Sequence, residues 1–253
     1  MEKEKRKFRF SEFARRYRRL FLSFSEFLEE ILKNKQSNRI YIQKTVLVAM
    51  FVAISYVVEF FHINVQFLSF DAKDSIITVA AMILGPSYAV VMSLCVSLLE
   101  MITISGTGFW GFLMNFCGSV TFSLTASLIY KYKRNMLHAV FGLVSASLLT
   151  IVVMLCANML ITPIYMGTDV GTVIILIPSL LLPFNALKTV FNSGLVLLLY
   201  KPIIRVLRSV HFLPESNAKT DKKRTAAVIV AAIAFIGIAI LGFLMLNGTL
   251  TLF

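Results

Sequence analysis

Long apolar runs with almost no charge are what most constrain the fold of this chain: they begin near Thr45 and recur to about Leu246, separated by short polar or basic blocks. Crossing the hydrocarbon of a bilayer takes roughly 20 apolar residues in a helix, because the segment must satisfy its own backbone hydrogen bonds where there is no water. Several runs reach that length. The composition agrees, with 58% of the 253 residues hydrophobic and 15% charged, too apolar for an ordinary soluble domain of this size. The expected fold class is all-α, a polytopic membrane helix bundle.

Apolar runs and turn signals predict helices over 44–61, 74–84, 87–103, 109–130, 137–161 and 173–200, and a seventh over 225–246. The second is short and ends at Gly85-Pro86, where proline removes a donor and glycine loosens the backbone. The chain divides accordingly. Residues 1–40 form a basic amphipathic segment, 41–204 a six-helix membrane core, 205–224 a cytoplasmic linker and 225–253 an extra C-terminal transmembrane helix. Within the first segment Phe10, Phe13, Tyr17, Leu20, Phe24, Phe27 and Ile31 recur at helical spacing opposite Arg15, Arg16, Arg18 and Arg19. That pattern describes an amphipathic helix lying on the bilayer surface, as a lipid anchor or a contact for a partner subunit.

A net charge of +12 would suit a nucleic-acid binder, but the basic residues sit in blocks between the apolar runs. Of 25 Lys and Arg, all but Lys73 and Lys188 fall before residue 45, in the 131–134 loop or after residue 200. Basic residues are retained on the cytoplasmic side, so the N-terminus is expected inside and the C-terminus outside, with no nucleic-acid partner. The first long apolar run lies behind a charged stretch, so no cleaved signal peptide is expected. Cys95, Cys117 and Cys156 lie within apolar runs, show no disulfide or metal spacing, and read as small core residues.

Polar groups in an apolar solvent point to function. An ionisable side chain at the centre of a membrane helix costs about 2.5–3.5 kcal/mol on insertion scales, so those that persist usually face a cavity. On the topology above, Glu59, Glu100, Asn115, Asn158, Asn185 and Lys188 all fall in the outer halves of their helices, and Asn192 shares a helix face with Asn185 and Lys188. This convergence predicts an outward-facing pocket rather than a polar path through the membrane. The competing reading makes the asparagines interhelical glue and lets Glu59 and Glu100 reach the headgroups.

Five acids (Glu59, Asp71, Asp74, Glu100 and Asp169) against two bases in the outer half disfavour a ligand with several negative charges. A neutral, partly aromatic molecule with an imide-like edge fits better: Asn158 and Asn185 supply donors and acceptors, Lys188 donates to a carbonyl, and Phe67, Phe70, Tyr165 and Phe184 are available as walls. The sequence holds no phosphate-loop, zinc-protease or nucleophile-elbow motif, so no enzyme, metal or cofactor is expected. His62 reads as a solvated loop residue.

Three stretches over about 41–205 resemble the substrate-binding subunits of energy-coupling-factor (ECF) transporters, in particular the riboflavin type. Ala49-Met50-Phe51-Val52-Ala53 is similar to the family's AxxxA motif; two small residues one turn apart let another helix approach closely. The run 70–75, with Asp71 and Asp74 ahead of a helix ending in Gly85-Pro86, resembles the family's aspartate-rich segment and break. Pro183-Phe184-Asn185-Ala186-Leu187-Lys188 looks like the PFNxxK element. The resemblance implies that Asn158, Asn185 and Lys188 contact the isoalloxazine ring of riboflavin; Glu100 and Asn115, from the depth argument, and Asp71 complete the expected ligand-binding set. It further implies that Ala49 and Ala53 dock a transmembrane coupling subunit, and that two ATPase subunits drive uptake. The long N-terminal segment and the seventh helix depart from the family pattern. Another vitamin such as thiamine or folate, a stand-alone transporter and a membrane sensory protein are the alternative readings.

Overall fold

The structure is a computed structural model and describes residues 38, 40–66, 68–104, 106–213 and 222–250. The amphipathic stretch of the N-terminal segment, and Phe67, lie outside the described residues. The chain forms α1 (Ile40–Glu59), β1 (Ile63–Val65), β2 (Leu68–Phe70), α2 (Lys73–Leu84), α3 (Pro86–Thr103), α4 (Gly108–Tyr132) and α5 (Met136–Met166). It continues through α6 (Val170–Leu176), a π-helical turn (Ile177–Leu181), α7 (Leu182–Ser209) and α8 (Lys222–Leu250).

Among the described residues, six helices are long and apolar enough to cross a membrane: α1, α3, α4, α5, the continuous α6–α7 unit and a stretch of α8. The exception among the expected seven is α2. Its 12 residues, 10 of them buried, are fewer than a helix needs to span hydrocarbon alone; enclosed by the others, α2 carries the chain back between α1 and α3, whose C-terminal ends lie on the same side. Gly85 ends it at φ 128°, a conformation open to glycine but strained for L side chains, while Pro86 opens α3 at a position that needs no backbone donor.

Local chemistry fixes the remaining boundaries. The Asn135 side chain caps α5 by accepting from the His138 N–H at 2.8 Å, and Gly167 closes that helix in the left-handed region at φ 64°. The Asp169 carboxylate caps α6 at Gly171 N–H, 2.9 Å away. The expected sixth helix begins earlier and runs nine residues further, to Ser209, and the π-helical turn accommodates Pro178 within it. The segment 62–73 between the first two expected helices contains an antiparallel hairpin in which Ile63 pairs with Phe70 and Val65 with Leu68. Its tight turn holds Gln66 at φ 55°.

Phe122, Ala126 and Tyr130 of α4, Leu143 and Ala146 of α5, Val79 and Met82 of α2, and Val196 and Leu197 of α7 form one buried apolar cluster. It fills the bundle between the hairpin end and the 133–135 loop, and Tyr130 and Tyr200 join hydroxyls across α4 and α7 within it. The cysteines depart from their expected core positions. Cys95 and Cys117 are half-buried and Cys156 is exposed, as apolar positions facing lipid can be.

Candidate functional site

The C-terminal ends of α1, α3 and α5 meet the N-terminal ends of α2, α4 and α7 under the hairpin, enclosing a cavity of about 420 Å³. That lies within the size range of small-molecule sites, about 300–1,000 Å³. Asn158, Asn185, Lys188, Glu100, Asn115, Tyr165 and Phe184 all line it, as does Glu59. Six helix ends separated by up to 129 positions in the chain therefore converge as the depth argument requires.

Each polar group has a defined setting. Asn158 donates to the Met154 carbonyl at 2.8 Å and accepts from the Thr162 hydroxyl at 2.9 Å; Asn185 donates to the Leu181 carbonyl at 2.7 Å. An amide offers two donors and two acceptor lone pairs, so each retains capacity toward the cavity after orienting itself on its own helix. Lys188 donates to the Ser69 carbonyl at 2.9 Å and to Asp71 Oδ2 at 2.6 Å, leaving one N–H of its ammonium group. Aromatic and apolar walls come from Trp110, Phe122, Tyr165, Phe184, Met114 and Met154.

Two expected pocket residues lie behind the wall instead. Asp71 is buried and does not line the cavity; it anchors Lys188 and receives the Lys73 backbone N–H at 3.2 Å. Burial works to raise its pKa, but the ammonium groups of Lys188 and Lys73 outweigh that effect and hold the carboxyl below the ordinary aspartate range. Phe70 points away from the cavity into an aromatic cluster with Phe184, Phe191 and Phe243, with ring centroids 6.1, 5.0 and 4.7 Å away. Ser69 borders the cavity beside it, while the Phe70 ring is taken up by this cluster behind the wall. Asn192 lines the cavity yet acts mainly as a brace. Its Oδ1 accepts the Ser75 N–H at 2.9 Å, and its Nδ2 donates to the carbonyls of Asp71 and Lys188 at 3.0 and 3.1 Å. This gives an N–H in the first turn of α2 a side-chain acceptor closer than the Ala72 carbonyl, which lies 3.2 Å away.

Sequence reasoning missed Lys73. Its ammonium is 1% exposed, 2.7 Å from Glu100 Oε2, 3.5 Å from Glu59 Oε2 and 4.0 Å from Asp71 Oδ2. Asn115 donates to the same Glu100 oxygen at 2.9 Å. The available signal was that Lys73, like Lys188, stands apart from the cytoplasmic basic blocks. Asp74, which accepts from the Ser119 hydroxyl, and Trp110, the only tryptophan in the chain, were also missed. Among the described residues, Glu59 Oε2 and Glu100 Oε1 are buried without a hydrogen-bond partner. Both residues border the cavity. His62, expected in solvent, borders the cavity with Nδ1 2.7 Å from the Glu59 carbonyl.

Away from the cavity, Ala49 and Ala53 lie on the exposed face of α1 with Met50, Ile54 and Val57. No group of three or more metal-ligating side chains occurs among the described residues.

These features can be set beside known proteins. The riboflavin transporter RibU of Staphylococcus aureus (strain TCH60) is 27% identical over 187 residues, covering 70% of this chain and 96% of that protein. A solved S component of a bacterial ECF transporter superposes with a TM-score of 0.58 at 27% identity, covering 66% of this chain and 99% of the other. The model of the family described as the ECF transporter, substrate-specific component, matches residues 43–200, from α1 through most of α7 and including the whole cavity. The chain is therefore a multi-pass membrane protein belonging to the substrate-specific components of ECF transporters.

Proposed function

We propose that the cavity captures riboflavin from outside the cell and that the chain passes it to a transmembrane coupling subunit powered by two ATPase subunits. The observation that carries this reading is the meeting of Asn158, Asn185 and Lys188 in one aromatic-walled cavity. Two amides and an ammonium form the donor and acceptor set that reads the imide-like edge of a flavin, while Trp110, Tyr165 and Phe184 suit its ring. Glu59 and Glu100, which border the cavity, carry acceptors of the kind that the hydroxyl donors of its sugar-alcohol chain need. The apolar cluster below the cavity argues against a stand-alone channel or facilitator, which needs a polar path across the bilayer.

Asn185→Ala should weaken riboflavin binding by about 1–3 kcal/mol, because the ligand group it meets stays buried without a partner. Fluorescence titration checks this, and unchanged affinity would remove Asn185 from the site. A bulky replacement, Ala53→Trp, should leave binding intact but reduce ATP-driven uptake in vesicles containing the coupling and ATPase subunits, since the exposed α1 face could no longer approach a partner helix closely. Loss of binding in that variant would assign α1 to the pocket instead. The charge pattern of the chain supports a cytoplasmic N-terminus, which places the cavity on the outer side.

A further inference from the structure

α8 lies beyond the region matched by the family, which ends at residue 200. It packs against α7 so closely that a Cβ at Gly194 would come within 3.0 Å of the Ala232 carbonyl and 2.8 Å of Ile236 Cγ1. Nearer the cavity, a Cβ at Gly242 would come within 2.5 Å of Leu187 Cδ2. One residue further on, Phe243 is 6% exposed and packs at a tilt of 40° against Phe70, with ring centroids 4.7 Å apart.

These contacts fall at telling places. Leu187 precedes Lys188, and Phe70 sits between Ser69 and Asp71, the two residues that Lys188 grips. Strand β2 is thus held from both sides: Lys188 pulls on its polar face and Phe243 closes the aromatic pocket around its apolar side chain. A helix serving only as a membrane anchor needs neither contact.

We propose that α8 is a resident buttress of the binding site and that Phe243 is a positioning residue. By fixing Phe70 it sets the hairpin over the cavity and the Asp71–Lys188 pair within it. The functional half of this proposal rests on the riboflavin reading above; the structural half does not. A site whose supporting shell loosens keeps its residues but loses its geometry.

The test uses the full-length protein in detergent and two measurements. In the ligand-free protein, Phe243→Ala should speed hydrogen exchange of peptides covering 63–71 by about tenfold or more, with α3 and α4 unchanged. Phe243→Leu should restore most of the protection, and Leu241→Ala, on the exposed face of α8, should have no effect. In riboflavin titrations, Phe243→Ala should raise Kd about tenfold in the wild-type background but by less than about threefold in Asp71→Asn, because the effect passes through that pair. Unchanged hairpin exchange in Phe243→Ala overturns the proposal, as does an equal affinity loss in both backgrounds. A wild-type protein that binds no riboflavin removes the proposed ligand, while the exchange measurement still decides the role of α8.

Discussion

Lys73→Met should be the most damaging single substitution in the described region, lowering thermal stability sharply in detergent. The lysine is the shared cation of Glu59, Asp71 and Glu100, and both of its glutamate partners are almost wholly buried. Removing one member of a buried ion pair leaves an uncompensated charge and typically costs about 3–5 kcal/mol. The loss should be partly recovered in Lys73→Met/Glu100→Gln, which removes the charge nearest the missing ammonium, 2.7 Å away. Thermal melting of the purified variants tests this. A single variant as stable as wild type, or a double variant less stable than the single, would mean that the cluster is not held together by Lys73.

Lys188→Ala is expected to damage two properties that can be separated. Affinity for riboflavin should fall by about 1–3 kcal/mol, or roughly 5- to 150-fold, because a buried ligand carbonyl loses its donor. Stability should also fall, because Asp71 loses its closest cation, 2.6 Å away, and the hairpin loses the donor to the Ser69 carbonyl. Adding Asp71→Asn removes the stranded charge, so Asp71→Asn/Lys188→Ala should regain melting temperature without regaining affinity. Recovery of both together would assign Lys188 a purely structural role.

The distribution of polar residues explains why much of the site could be read from the sequence. A bilayer penalises every misplaced polar side chain, so Asn158, Asn185, Lys188 and Glu100 stand out against apolar runs, and the basic blocks give their depth. The same logic fails where the chain is polar for other reasons. Lys73 lies among Asp71 and Asp74 in what reads as an ordinary charged connection; only the fold shows that this connection turns inward and buries all three. The hairpin was hidden because its strands have three residues each, too few for alternation to register. Asp71 and Phe70 were misassigned for the same reason, since their burial behind the cavity wall depends on a hairpin that was not expected. The second helix was found at nearly its correct ends, but hydropathy cannot tell a short buried helix from a truncated span. The role of α8 was invisible because it depends on where Gly242 and Phe243 land on α7 and the hairpin, which is fixed by packing rather than by periodicity.

Trp110 gives the central claim a direct measurement. It is the only tryptophan in the chain and it lines the cavity, so a bound flavin should accept its excitation energy. Riboflavin titrated into the purified, ligand-free protein should quench tryptophan and flavin emission along one saturable single-site curve, shifted to higher concentration in Lys188→Ala. A folded, ligand-free protein in which neither emission changes would contradict riboflavin as the ligand of this cavity.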